Sequence, residues 1–260
     1  MIIRRLTWAG LELQTADATA VVDLLGGRPS LSEYAGDPAE DLLAPLAPQG
    51  TVVAAAVTHL HSDHFDVAAL RRALAPESPV LCPAAAAVKV HAAGLVATGV
   101  ELWETVTVGG LQFTAVPAVD GFGTPQVSWV VTDGETRLIH CGDTLWHGFW
   151  WDIAERCGPF DIAFLPINAA VAEFEYLRPP SGLPAVLTPE QAAAAAQVLG
   201  ARHAVPIHHG TFHKPPAYIA YPNAEAAFVV ACRRRGVSTQ LLQPGDEANL
   251  AASTPTSGRA

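Results

Sequence analysis

Thr58-His59-Leu60-His61-Ser62-Asp63-His64 places three imidazoles and one carboxylate together, directly after the apolar run Thr51–Thr58. That run reads as a buried strand, and a helix is expected to begin near Val67. A strand end is a rigid platform, and the turn beyond it can aim several side chains at one point. His59 and His61, two residues apart, can face the same side and share one metal. Asp63 and His64, nearer the helix, can serve a second metal beside it. Imidazole with carboxylate suits zinc first, and also manganese or iron. HxHxDH arises by chance in on the order of one chain in a thousand at this composition, so surface histidines beside a capping Asp63 explain it poorly.

Working outward, two later strand ends carry matching chemistry. His140-Cys141-Gly142-Asp143-Thr144 closes a predicted strand; Gly142 permits a tight turn, and Asp143 could bridge two cations with its two oxygens. Val205-Pro206-Ile207-His208-His209-Gly210 ends a third strand in histidine. Each alone would be a turn or structural residue. Three such strand ends on one rim are what a metal site needs. Adjacent strand residues point to opposite sides, so one of His208 and His209 is not a ligand.

Further strands are expected at Ile2–Trp8, Leu11–Thr15, Thr19–Leu25, Thr105–Val108, Leu111–Val116, Gln126–Thr132, Arg137–His140, Ile162–Pro166, Ala204–Ile207 and Ser238–Leu242. Helices are expected at Val67–Leu74, Pro83–Ala93, Pro189–Leu199 and Asn223–Arg235. Strands come first in runs and then alternate with helices. An α+β arrangement, two sheets face to face with helices outside, satisfies that order. One domain is expected over residues 1–245, with the small, polar stretch 246–260 as a flexible C-terminal tail.

Half of the 260 residues are hydrophobic, enough for a sizeable core without disulfides. No apolar run reaches the roughly 18 residues of a membrane span, and the N-terminus does not read as a secretory signal. Cys82, Cys141, Cys157 and Cys232 form no CxxC, which fits a reducing compartment, so the expected location is cytoplasmic. A net charge of −10 argues against nucleic acid and anionic membrane as partners. Arg233, Arg234 and Arg235 read as the solvated end of a helix. A small-molecule substrate is the expected partner, with room for a homo-oligomer.

The chain resembles the metallo-β-lactamase superfamily, in the branch of bacterial hydrolases that includes the L-ascorbate-6-phosphate lactonase type. The resemblance rests on Asp23 after an early strand, THLHSDH, Val116-Pro117-Ala118, HCGDT, Leu165–Asn168 (LPIN), Thr188–Ala192 (TPEQA) and VPIHHGTF. HxHxDH is specific for the superfamily, while the branch rests on the weaker motifs. The resemblance implies an αββα sandwich, a one- or two-metal site at the edge between the sheets, and hydrolysis by a metal-bound hydroxide. It implies His59, His61, Asp63, His64, Asp143 and His208 as metal residues, with Asp63 or Asp143 orienting water and shuttling its proton.

One position departs from the pattern. Relatives carry a histidine after the strand that here runs into Val116-Pro117-Ala118-Val119-Asp120. Asp120 stands in its place as a shorter, harder, anionic donor. It could ligate directly and shift preference toward manganese or iron; it could hold a ligating water; or the first site could be weak or empty. His147 could substitute as ligand or proton donor, or pack among Trp146, Phe149, Trp150 and Trp151. That tryptophan cluster itself reads as an apolar pocket wall or an oligomer contact.

Substrate recognition is placed on the Pro-rich stretch Val171–Leu187, either a lid or a plain surface loop. Phe174 and Tyr176 are candidates to pack against a ring, and Arg178 to take a carboxylate or phosphate. The expected function is hydrolysis of a small ester, lactone or phosphoester. The rivals are a phosphodiesterase or nuclease, and a metal-binding or redox-sensing protein that lost hydrolysis with the Asp120 change. No GxSxG elbow, Walker loop or dinucleotide fingerprint offers another chemistry.

Overall fold

The computed structural model describes residues 1–175 and 177–250. The first half of the chain supplies β1 (Ile2–Arg5), β2 (Leu11–Gln14), β3 (Thr19–Val22), β4 (Ala54–Ala56), β5 (Val80–Pro83) and β6 (Ala97–Val100). These form one sheet in sequence order, antiparallel from β1 to β3 and parallel from β3 to β6. The second half supplies β7 (Thr105–Val108), β8 (Leu111–Pro117), β9 (Val127–Thr132), β10 (Arg137–His140), β11 (Ile162–Pro166), β12 (Val171–Ala172), β13 (His203–Ile207), β14 (Tyr218–Ile219) and β15 (Ser238–Thr239). Its seven-stranded sheet has the order β15-β13-β11-β10-β9-β8-β7, antiparallel over β7–β10 and parallel beyond, while β12 and β14 form a small antiparallel pair.

Period-2 alternation explains why both sheets are covered on both faces. In β3 and β4, Ala20, Val22, Ala54 and Ala56 face the second sheet, and Val21 and Ala55 face outward. In β11 and β13, Ile162, Phe164, Val205 and Ile207 face the first sheet, and Ala163, Leu165 and Ala204 face outward. Side chains on opposite faces both need burial, so each strand reads as a continuous apolar run. The outward face of the first sheet packs under α2 (Val67–Ala73) and α3 (Ala87–Ala92), beyond a one-turn α1 (Ser32–Ala35). The other sheet packs under α4 (Trp150–Cys157), α5 (Pro189–Val198) and α6 (Ala224–Arg234). The result is an αββα sandwich. Asp66 caps α2 by accepting from the Ala69 amide, and α5 opens on a Thr188–Gln191 capping box with Pro189 in its first turn.

Several boundaries differ from the sequence expectation. The first strand stops at Arg5, because Trp8 turns the chain with φ 63°. The expected helix from Pro83 divides into the end of β5, a 3₁₀ turn at Ala84–Ala86, and α3. The strand β6 was not anticipated; its Ala-Thr-Gly-Val has no strong period, and it forms through pairing with β5. Residues 246–248 of the expected tail run along β1: the Arg5 amide donates to the Asp246 carbonyl at 2.9 Å, and the Ala248 amide to that of Ile3 at 2.8 Å. Residues 251–260 of that tail lie outside the described residues. Among the described residues no helix is long and apolar enough to cross a membrane.

Candidate metal centre

The C-terminal ends of β3, β4, β8, β10 and β13 meet at one rim of the sandwich, and cross-sheet hydrogen bonds fix that rim. The Trp129 indole of β9 donates to the Val57 carbonyl at 3.0 Å, and the Val127 amide to the Thr58 carbonyl at 3.1 Å. The His208 amide donates to the Trp8 carbonyl at 3.2 Å, and His140 Nε2 to the Ala9 carbonyl at 2.7 Å. Strands from both halves of the chain therefore arrive in register where the histidine-rich loops begin.

Two groups of ligand-type atoms result. Asp63, His64, Asp143 and His208 offer atoms within 4.8 Å of one another, and so do His59, His61 and Asp143. Asp143 belongs to both. His208 Nε2 lies 2.9 Å from Asp143 Oδ2, and His64 Nε2 lies 3.1 Å from Asp143 Oδ1 and 3.5 Å from Asp63 Oδ2. All four residues are buried, yet His64 Nε2, His208 Nε2 and Asp143 Oδ1 have no aligned hydrogen-bond partner. Buried polar atoms are normally paired. Converging and unpaired, these atoms fit a shared cation.

The second group gives an independent sign. The Thr58 hydroxyl donates to Asp23 Oδ2 at 2.7 Å, because a carboxylate only accepts. Thr58 Oγ1 therefore accepts from His59 Nδ1 at 3.0 Å, leaving a lone pair on His59 Nε2. His61 Nε2 lies 2.8 Å from Thr124 Oγ1, and when it donates there, His61 Nδ1 is bare as well. The two bare nitrogens stand 2.9 Å apart, an arrangement a cation or proton between them satisfies. Burial, with the positive His64 beside it, pushes the His59 pKa down to about 3, so His59 is a neutral donor.

Asp23 organises both groups from behind. It accepts from the Thr58 amide at 2.8 Å and from His64 Nδ1 at 2.8 Å, which aims His64 Nε2 at Asp143. Burial works to raise the Asp23 pKa, but His64, through charge and hydrogen bond, with His140 and His59 holds it below the ordinary value. For His64 and His208 burial favours the neutral ring, and the surrounding carboxylates, Asp143 foremost, override it and raise both pKa values. A divalent cation supplies the same positive charge in place of those protons. Trp8 braces the other side: its indole donates to Asp63 Oδ2 at 3.0 Å, and its ring lies 3.8 Å from that of His208. Trp8, Asp23 and His208 hold φ values of 63°, 44° and 55°, backbone strain gathered at the site.

Gly142 supplies the turn that delivers Asp143. Its φ is +59°, and a Cβ there would lie 2.9 Å from the Thr58 Cβ and hydroxyl. Gly142→Ala is therefore expected to cost about 1–3 kcal/mol. It should also weaken metal binding by displacing Thr58 or Asp143, read by urea unfolding and metal titration; wild-type behaviour in both would show that the turn has slack.

Asp120 sits beside the second group without joining it. Its Oδ2 accepts from the Thr124 amide at 2.7 Å and the Phe122 amide at 3.1 Å, while Oδ1 lies 4.0 Å from His61 Nδ1. Burial raises its pKa, against the pull of His61 and the two amides. A bridge to Thr144 keeps it alongside the strand end that carries Asp143.

A cavity of about 370 Å³ opens onto the metal residues, with His61, Asp63, Asp143 and His208 in its floor. Its walls are mostly apolar and aromatic, with Leu31, Tyr34, Phe122, Phe174, Val186 and Tyr218, and Ser30 and Ser62 add hydroxyls. Beside it Gly121 lets the loop pass against the Ala185 backbone, since a Cβ there would lie 2.3 Å from the Ala185 carbonyl oxygen.

Not every expected substrate residue reaches this cavity. Phe174 does, with its ring 5.6 Å from Phe122 and 5.4 Å from Tyr34. Tyr176 lies outside the described residues. Arg178 is exposed and lines a neighbouring recess with Leu145, Leu177 and Leu183, so the structure does not bring it to the metal residues. The tryptophan cluster is likewise no part of the cavity wall; Trp146, Phe149 and Trp151 are solvent-exposed. His147 stacks on Trp150 at 4.3 Å, and burial lowers its pKa to about 4, which makes it a packing residue. His209 belongs to neither ligand group. Tyr218 enters the site unanticipated, because a two-residue strand carries no local signal of what it approaches; Asn168, the last residue of LPIN, has no role assigned from the sequence.

A family model described as the Beta-lactamase superfamily domain matches residues 29–209. A metal-dependent hydrolase of the UPF0173 group from Thermococcus kodakarensis is 30% identical over 202 residues, covering 75% of this chain and 80% of that protein. One from Methanoculleus marisnigri is 27% identical over 219 residues, covering 79% and 87%. Among solved structures, a metallo hydrolase from Ignicoccus hospitalis superposes with a TM-score of 0.67 at 18% identity, covering 95% of this chain and 97% of that one.

Proposed function

Since the chain belongs to the β-lactamase superfamily and is a metal-dependent hydrolase, we propose that it hydrolyses small, uncharged, largely apolar esters or lactones. The observation that carries this is the cavity: ligand-type residues lie in its floor, its walls are mainly aromatic and aliphatic with Ser30 and Ser62 among them, and among the described residues no lysine or arginine lines it. A nucleic-acid backbone calls for basic side chains along its track, beyond what bound cations at one point supply. An apolar ester or lactone calls for a dry wall and one polar end, which this cavity supplies.

Asp63, His64, Asp143 and His208 would hold one cation, and His59, His61 and Asp143 a second, with Asp120 Oδ1 turning in to complete it. Such cations lower the pKa of bound water toward 7 and polarise a substrate oxygen. Asp63 and Asp143 face the cavity and can orient the attacking water and carry its proton. Trp8 restrains Asp63 during that exchange. Phe122, Phe174 and Tyr34 exclude other water and hold the apolar part of the substrate. Zinc suits the four-residue group, and Asp120 adds a hard anionic oxygen that moves the second toward manganese or iron. The free cysteines fit a cytoplasmic location.

The test is turnover of alkyl esters, lactones, phosphomonoesters and phosphodiesters by protein loaded in turn with zinc, manganese and iron. Faster cleavage of esters or lactones is expected. Preference for phosphodiesters would overturn the reading in favour of a phosphodiesterase, and metal bound without any turnover would favour a non-catalytic metal-binding protein. Asp120→Ala should lower metal content from about two ions per chain to about one, by elemental analysis, since a two-ion site loses the ligand that completes it. Unchanged content would remove Asp120 from the ligand set.

A further inference from the structure

Tyr218 is 4% exposed, yet it lines the cavity whose floor is Asp63, Asp143 and His208. Its hydroxyl oxygen accepts a hydrogen bond from Asn168 Nδ2 at 2.8 Å. The Asn168 amide is itself oriented, because its Oδ1 takes the Ala170 amide at 3.4 Å. A phenol carries one proton and accepts through its lone pairs. With Asn168 on the accepting side, the phenolic proton has no recipient among the described residues, and the cavity is the space left to it. Burial, then the charges of Asp63 and Asp143, hold the Tyr218 pKa well above the ordinary tyrosine value against the Asn168 hydrogen bond. A phenol keeps its proton at neutral pH, so the group is an O–H donor.

We propose that Tyr218 is a catalytic residue that donates this hydrogen bond to the substrate carbonyl oxygen as it takes on negative charge; the assignment rests on the ester or lactone reading above. Water oxygen bonds to the carbonyl carbon, and the carbonyl π pair moves onto the oxygen facing Tyr218. The proton lost by the water passes to the Asp63 carboxylate. When the carbonyl re-forms, the bond to the alkoxide breaks, and the alkoxide takes that proton. Tyr218 keeps its own proton throughout, so one water and one ester give one acid and one alcohol. A donor preset toward developing charge in a dry site stabilises the transition state far more than the bound substrate. Asn168 is the positioning residue that fixes the hydroxyl.

The test is Tyr218→Phe in the zinc-loaded protein, with metal content measured alongside. Removing one such donor should lower kcat about 10²–10³-fold with little change in KM. Calorimetry with an aryl phosphonate, a mimic of the tetrahedral state, should show a comparable loss of affinity, while the alcohol product binds as before. Asn168→Leu should lower kcat in the wild-type background and leave Tyr218→Phe unaffected, a non-additivity that a merely structural role would not produce. Unchanged kcat and phosphonate affinity with metal retained would overturn the proposal. So would loss of metal from Tyr218→Phe, because the hydroxyl would then be supporting the metal residues. If the wild type cleaves no ester or lactone, the substrate reading fails and the carbonyl-donor role falls with it, whereas ester turnover unaffected by Tyr218→Phe overturns the Tyr218 role alone.

Discussion

Asp143→Ala is expected to empty both ligand groups and abolish hydrolysis. Asp143 is the one residue the two groups share, with Oδ2 at 2.9 Å from His208 and Oδ1 at 3.1 Å from His64. Removing it deletes a donor from each cation and leaves two buried imidazoles whose positive charge it had balanced. The loss of metal affinity should exceed the 10–100-fold typical of losing an outer-sphere partner. Elemental analysis and ester turnover read the result, and Asp143→Asn, of equal volume, separates loss of charge from loss of packing. His213→Ala is the matched control. That residue is exposed and its Nδ1 accepts the Ala220 amide at 3.2 Å, away from both ligand groups, so metal and activity should persist. Equal metal in the two alanine variants would sink the assignment of the centre.

The second large effect is expected from Asp23→Asn, which changes no volume and touches no cation. The two Asp23 oxygens accept from the Thr58 amide, the Thr58 hydroxyl and His64 Nδ1. An asparagine must replace one oxygen with NH₂. Placed at Oδ1, the NH₂ opposes the Thr58 amide; placed at Oδ2, it opposes the His64 N–H and forces the proton onto the nitrogen needed for metal. Either choice leaves a buried donor unpaired, at a cost of about 1–3 kcal/mol. Metal affinity should fall about 10–100-fold. Denaturant unfolding of the metal-free protein measures the first effect and metal titration the second. Wild-type values in both would show that Asp23 is a bystander.

How much of this was readable beforehand follows from the range of the interactions concerned. The strand runs ending in His59, His140 and His208 were legible because burial on both faces writes itself into consecutive residues. The clustering of His59, His61, Asp63, His64, Asp143 and His208 was legible because short turns confine them to a few positions. The cap at Thr188–Gln191 is equally local. Asp120 was legible as a departure, but its split role, one oxygen on two amides and the other toward His61, needs the folded loop. Pairing of β6 with β5 depends on a partner 17 residues away in register, Val80 with Ala97, and leaves no periodic trace in its own sequence. Tyr218 and Asn168 meet across 50 residues. Arg178 was misplaced for the converse reason: a plausible side chain on a Pro-rich loop says nothing about which of two neighbouring hollows the loop directs it into.

The short segment lying along β1 has a consequence for the chain's behaviour in a crowd. β1 is the border strand of its sheet, and a border strand offers a row of amides and carbonyls to any extended peptide that comes by. Here the Gly245 and Ala248 amides and the Asp246 carbonyl occupy those positions on Ile3 and Arg5, and Arg4 clasps Glu247 at 2.7 Å. The polypeptide thus spends its last described residues as its own blocking peptide, shutting that side of the sandwich to strand-by-strand growth into aggregates.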